Sequence, residues 1–172
     1  MRQRPKLLFL LLFVFFARNA SAQATEEERE HAVVELGGAA FRSVNGDTAN
    51  SFGPSVAVEV TPIKHWLELE FGTTALFRRH STEWGTDLLF KKPWDISPKV
   101  EFMFGIGPEW DHSRQFGVTT NSVSAEAVGD FMFWPSSRHR FGWYLEPTYE
   151  FNFARGHEQS VGVTAGLLIS IP

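Results

Sequence analysis

The sequence predicts an all-β fold, an eight-stranded antiparallel up-and-down transmembrane β-barrel, from three observations. From Pro98 to Trp110 the chain alternates: Val100, Phe102, Phe104, Ile106 and Trp110 share one parity, and Lys99, Glu101, Gly105, Gly107 and Glu109 the other. Successive strand side chains point to opposite faces, so this segment is a strand with one apolar face and one face of carboxylates and glycines. About eight such segments follow one another, which is the pattern of barrels that cross a membrane with strands. A secretory signal precedes them.

That signal has three parts. Arg2, Arg4 and Lys6 lead into an apolar run from Leu7 to Ala17, which closes on Ala20-Ser21-Ala22. This organisation predicts a signal peptide over 1–22, cleaved before Gln23. A membrane anchor is the weaker reading, because the apolar run falls short of the roughly 20 residues a spanning helix needs. Thr25 to Glu30, with four carboxylates and Arg29, reads as an acidic leader over 23–30, which leaves 31–172 as one barrel domain.

Strands are expected at 31–42, 52–61, 65–77, 83–91, 98–111, 122–133, 140–153 and 159–171. The first carries Glu35 on its polar parity. The second sets Val56, Val58 and Val60 against Glu59, and the third sets Leu67, Leu69 and Phe71 against Glu68 and Glu70. The fourth pairs Leu88 and Phe90 with Asp87 opposite, and the fifth is the stretch described above. The sixth carries Phe131 and Phe133 against Glu126 and Asp130. The seventh sets Leu145, Tyr149, Phe151 and Phe153 against Glu146, Thr148, Glu150 and Asn152. The eighth sets Val161, Val163, Leu167, Ile169 and Ile171 against Gly162 and Gly166.

Turn chemistry separates these runs. Asn45-Gly46-Asp47 marks the first connection, Pro62-Ile63-Lys64 the second, Lys92-Pro93-Trp94-Asp95 the fourth, Pro135-Ser136-Ser137 the sixth and Arg155-Gly156-His157 the last. The fifth, about 112–121, is expected among the longer ones. An even strand count puts both chain ends on one side, and with a periplasmic N-terminus the second, fourth and sixth connections become periplasmic turns.

Composition narrows function further. The chain has no cysteine, so disulfides, thiolate metal sites and thiol catalysis are excluded. Four of the 16 Lys and Arg and none of the 20 Asp and Glu lie in the signal, so the mature charge is −8. Nucleic acid is therefore not an expected partner.

Alternation alone does not orient a barrel, since a secreted or periplasmic lipocalin-like barrel binding an apolar ligand has the same period with its apolar face inward. An eight-stranded interior is just wide enough to be filled by side chains. So many large aromatics would overfill it, whereas glycines and narrow polar groups fit, so the apolar face is expected to meet lipid. Tryptophan placement agrees: Trp66, Trp94 and Trp134 fall near the periplasmic turns and Trp84 and Trp110 near the outer ends, with Trp143 further along its strand. Two such bands match the aromatic girdles found where a barrel leaves the hydrocarbon.

On signal, strand count, alternation and girdles, residues 31–172 resemble the small eight-stranded outer-membrane proteins, the group containing the OmpA transmembrane domain. The resemblance implies an outer-membrane location, a monomer surrounded by outer-membrane lipid, with lipopolysaccharide as a further candidate partner, and a structural or surface-interaction role. Such barrels commonly end in an aromatic residue, whereas this sequence ends Ile169-Ser170-Ile171-Pro172.

The candidate site is the inward carboxylate group Glu59, Glu68, Glu70, Glu101, Glu126, Glu146 and Glu150. Like charges in a narrow interior must be protonated, hydrated or neutralised. Arg78, Lys99 and Arg140, with Arg42 and Lys64 near strand ends, are the expected counter-charges in a structural network of ion pairs and water. Carboxylates spread over several strands have no metal-ligand spacing, and the histidines show none, so no metal or cofactor is expected. Arg78-Arg79 reads as a solvated outer loop, with contact to lipid phosphates as the alternative.

A lipid-modifying enzyme is the other alternative. The layout is similar to the lipid A deacylase family, whose barrels carry a serine, a histidine and a glutamate near one end. That family's His-x-Ser pair falls on the penultimate strand, where this sequence reads Glu150-Phe151-Asn152. Ser160, His157 and Glu146 are the residues from which a triad could still be drawn. Three residue types in one region are weak support for a geometry-defined device, so no catalytic residue is assigned.

Overall fold

The computed structural model describes residues 32–45, 50–78, 81–136, 139–154 and 156–171. The expected signal peptide and leader, His31, Gly46-Asp47, Arg79-His80, Ser137-Arg138, Arg155 and Pro172 lie outside the described residues. Eight strands follow in order: β1 (Ala32–Ser43), β2 (Asn50–Ile63), β3 (Leu67–Arg78), β4 (Ser81–Ser97), β5 (Val100–Gln115), β6 (Val118–Phe133), β7 (Phe141–Asn152) and β8 (Gln159–Ile171). Each pairs antiparallel with the next, and β8 returns to β1 through twelve partners from Ala32↔Ile171 to Ser43↔Ser160, closing the barrel. Closure satisfies every strand edge, which is the condition for crossing hydrocarbon with strands. None of the described segments is a helix long and apolar enough to cross a membrane.

The two faces separate as the alternation predicts. Phe71, Phe104, Ile106 and Leu167 are exposed around the outside, while Glu35, Glu59, Met103 and Asp130 are at most 1% exposed inside. Chain ends and the connections after β2, β4 and β6 share one end of the barrel, here the terminus end, and the other four connections form the far end.

Three boundaries depart from the sequence reading. The four residues Lys92 to Asp95 are strand rather than turn: β4 runs on to Ser97, and the reversal is made by Pro98-Lys99, with Ser97 paired to Val100. The fifth connection is short. Phe116 (φ 48°) and Gly117 (φ 80°) reverse the chain in two residues, the left-handed pair that a tight hairpin demands, so β5 and β6 stay paired out to Gln115↔Val118. The second reversal sits at Lys64-His65-Trp66, two residues later than expected, with His65 at φ 59° and the Trp66 backbone N–H donating to the Ile63 carbonyl at 3.0 Å. At the far end, Asn45 clamps the last connection: its amide donates to the His157 carbonyl at 3.0 Å and its Oδ1 accepts from the Gln159 N–H at 2.6 Å.

The tryptophan bands also need one exchange. Trp134 is 3% exposed and points into the lumen with Met103, Met132, Tyr144 and Leu168. Its backbone N–H donates to the Lys99 carbonyl at 2.8 Å, and its ring stacks on His139 with centroids 5.1 Å apart. Trp134 shares the parity of Asp130 and Met132, so alternation itself sends it inward. Trp143 takes its place outside, where it stacks on Phe133 at 3.8 Å beside the exposed Trp66 and Trp94 of the terminus end. Trp84 and Trp110 remain exposed toward the far end.

Phe104→Arg places a charge on the outer face near mid-strand and is expected to cost about 2–4 kcal/mol in a folding titration into lipid vesicles, whereas Phe104→Leu stays within about 1.5 kcal/mol of the parent.

Candidate functional site

The lumen is built around one ammonium. Lys91 is fully buried at mid-barrel, and its Nζ lies 2.9 Å from Asp130 Oδ2, 2.9 Å from Glu146 Oε2, 3.9 Å from Glu59 Oε1 and in direct contact with Glu70 Oε2. Four strands thus converge on it: β2, β3, β6 and β7. Glu35 of β1 joins through Glu59 and Asp130, whose carboxylate oxygens lie within 4.8 Å of its own. This cation was not among the expected counter-charges. Of the expected counter-charges, Arg78 approaches Glu83 at 3.9 Å, half-buried at the end of β3, while Lys99, Arg140, Arg42 and Lys64 are exposed.

Local structure explains how a lysine reaches that place. β4 continues past Lys91, so the residue sits within the strand with Asp87 and Leu89 on the same buried parity. Its cross-strand neighbours are Glu68 on β3 and Gly105 on β5. A Cβ on Gly105 would stand 2.7 Å from Lys91 Cγ and 2.8 Å from Val128 Cγ2, so the missing side chain is the space through which the lysine stem passes. Tyr144 is seated in a similar way, with its hydroxyl 2.5 Å from where a Gly37 Cβ would stand.

A second acidic group occupies the far half of the lumen. Glu109, Asp111 and Glu150 bring carboxylate oxygens within 4.8 Å of one another. Asp111 Oδ2 accepts from Ser124 Oγ at 2.8 Å, Asn152 Nδ2 at 3.3 Å and Ser122 Oγ at 3.4 Å. Glu126 lies directly across from Glu150, and Asp87 across from Glu109. Two unit charges no more than 4.8 Å apart repel by at least about 3.5 kcal/mol at an effective dielectric of about 20, so fixed like charges this close call for a proton or a cation between them. Between the two groups lies a cavity of about 30 Å³, room for about two waters.

All seven sequence-derived candidates face the lumen, in three sets. Glu59, Glu70 and Glu146 gather on Lys91; Glu126 and Glu150 belong to the far group; Glu68 and Glu101 lie nearer the terminus end, Glu101 opposite Asp95 and Met132. Lys91, Asp111 and Tyr144 are the residues missed, and the parity of Asp87 would have revealed Lys91 had the strand been carried beyond it. The possible triad does not assemble. Glu146 is opposite Thr164, four residues along β8 from Ser160 and therefore about 13 Å away, and it is held by Lys91. The exposed His157 stacks on Phe151 with centroids 5.6 Å apart.

No family model matches the chain, and no curated protein matches it. Solved structures do. Neisserial surface protein A is similar with a TM-score of 0.67 at 11% identity, covering 80% of this chain and 96% of its own. The fold is that of the small eight-stranded outer-membrane barrels. Ail, the attachment invasion locus protein of Yersinia pestis, gives 0.59 at 12% identity over 84% of this chain and 100% of its own. The N-terminal β-barrel domain of Pseudomonas aeruginosa OprF gives 0.57 at 12% over 82% and 100%. Identities this low carry the architecture and no lumen residue, so the site is argued from this chain's own side chains.

Lys91→Met strands the surrounding carboxylates and is expected to destabilise the barrel by about 3–5 kcal/mol in urea unfolding from vesicles. Adding Glu146→Gln should recover part of that loss, because one repelling charge goes with it. A double variant no more stable than Lys91→Met would show that the two side chains are not coupled. Gly105→Ala should cost about 1–3 kcal/mol by the same measurement, because its methyl group enters the path of the lysine stem.

Proposed function

We propose that this protein is an outer-membrane β-barrel, exported through its N-terminal signal, that serves a structural and surface-interaction role as a monomer with a packed acidic lumen and no catalysis. The observation that carries the reading is the opposite chemistry of the two faces. The exposed apolar belt, with tryptophans toward both ends, suits hydrocarbon bounded by headgroups, and the interior holds charged side chains around a cavity of about 30 Å³. A lipocalin-like carrier needs an apolar cavity inside and a polar exterior, the reverse of this arrangement.

The partners follow from the same surfaces. Outer-membrane lipid covers the belt, and lipopolysaccharide is the candidate lipid at the far end if the termini are periplasmic. A closed ladder has no free strand edge to recruit a second copy, which supports a monomer. In that orientation the exposed Phe116 at the β5–β6 tip faces the outside and offers a contact for another surface. The names of two structural neighbours, a surface protein and an attachment and invasion protein, fit this role.

Cell fractionation tests the proposal. The protein is expected in the outer-membrane fraction, released only by detergent, with electrophoretic mobility that changes on heating. Recovery in a detergent-free soluble fraction would overturn the membrane reading, and a lipid A mass shift on overexpression would overturn the non-catalytic one.

A further inference from the structure

The outer face of the barrel carries a hollow. Ala125 and Ala127 of β6 pair with Pro108 and Ile106 of β5 on one side and with Phe151 and Tyr149 of β7 on the other. Pro108, Ala125 and Ala127 are short, so they lie low between Ile106 and the two aromatic rings. The result is an apolar groove of about 530 Å³, within the roughly 300–1,000 Å³ range of small-molecule sites.

Register sets its length and level. Ile106 faces Phe90, the neighbour of the mid-barrel Lys91, and Val123, at the other end of the groove, faces Trp110 of the far-end tryptophan band. From Ala127 to Val123 the strand covers about 14 Å, against roughly 15 Å for the hydrocarbon of one leaflet. The groove therefore runs from mid-barrel to the level where headgroups begin.

Beyond that level the chemistry changes. Asn121 pairs with His112 on the outer parity, with Oδ1 2.8 Å from the imidazole Nδ1, and one step further the exposed Arg114 pairs with Thr119. His157 stacks on Phe151 across the groove, but the exposed Glu158 follows it, so the β5 side is the one that suits an anion. Inside a bilayer no hydrophobic free energy is gained when a lipid chain meets an apolar wall. What singles out one lipid is its fit to the wall and the contacts of its headgroup.

We propose that this groove holds one acyl chain of a lipopolysaccharide molecule, whose phosphorylated glycolipid headgroup meets Arg114 and His112. The inference rests on the outer-membrane reading with periplasmic termini, which places the far half of the barrel in the outer leaflet, and it adds the site and the pose. The chain fills the space over Pro108, Ala125 and Ala127, and the guanidinium pairs with a phosphate of the headgroup.

Native mass spectrometry of the barrel refolded in zwitterionic detergent, with bisphosphorylated lipid A as probe and phosphatidylethanolamine as competitor, tests this. One lipid A per barrel is expected, held at least about tenfold more tightly than phosphatidylethanolamine. Ala125→Phe fills the groove with a side chain that lipid tolerates and should weaken retention at least about tenfold. Arg114→Gln should weaken it at least about threefold, and should have no effect when the probe lacks its phosphates. Heat-dependent electrophoretic mobility confirms that each variant is folded, and Ala127→Leu replaces Ala125→Phe if that variant does not fold. Undiminished retention by either folded variant, or phosphatidylethanolamine held as tightly as lipid A, would overturn the site. A failure of the membrane reading is a separate result, seen in fractionation: a barrel that fractionates with outer membranes yet shows no lipid A preference overturns the groove alone.

Discussion

The contact between Lys91 and its ring of carboxylates is the interaction on which the interior depends. An ammonium stripped of water in a closed barrel is costly unless its partners replace the lost hydration, and here Glu70, Asp130 and Glu146 do so while Glu59 stands one step back. The arrangement draws strands from both sides of the barrel toward one atom. It also dictates what its neighbours can be: Gly105 has to lack a side chain, and β4 has to continue far enough to keep Lys91 away from the rim. Carboxylates outnumber cations inside even so, and the far group, out of reach of Lys91, carries the surplus.

The outer face obeys a different solvent. Each strand presents alternate residues to the outside and to the lumen, so a single period of two writes both surfaces at once. Phe71, Phe104, Ile106 and Leu167 would be liabilities on a soluble protein and are fitting ones on this barrel. Lys92, on the outer parity, reaches back to the His65 carbonyl and lies 6.0 Å from the Trp94 ring, as a long cationic side chain does where hydrocarbon gives way to water. Trp134 closes the terminus end from within, so the ends are sealed differently: an apolar plug at one, a hydrogen-bonded acidic group at the other.

Much of this is legible in the chain because alternation is a strong and redundant signal. The strand number follows from the alternating runs, and the inward direction of Glu59, Glu68, Glu70, Glu101, Glu126, Glu146 and Glu150 from parity together with the bulk of the opposite, aromatic face. Turn residues were less reliable guides. Lys92-Pro93-Trp94-Asp95 has the composition of a reversal, yet Pro93 is held inside a strand, and reading a turn there ended β4 at Lys91 and hid its central cation. The fifth connection is likewise shorter than its composition suggests, because Phe116-Gly117 makes a two-residue reversal through left-handed backbone. What alternation cannot convey is which inward groups meet, since that depends on register and strand tilt around the whole barrel. The division of the carboxylates into a lysine-bound set and a far set became visible only with the pairing of β2, β3, β6 and β7.

The most direct test of the two-faced barrel uses its own tryptophans. Versions retaining only Trp143 or only Trp134, refolded into vesicles of lipid brominated on the acyl chains, separate outside from inside, because bromine quenches a ring it can touch. The account predicts strong quenching of Trp143 and little of Trp134, although the two sit at the same end of the barrel. Equal quenching, or stronger quenching of Trp134, would contradict the assignment of the faces and with it the acidic lumen organised by Lys91.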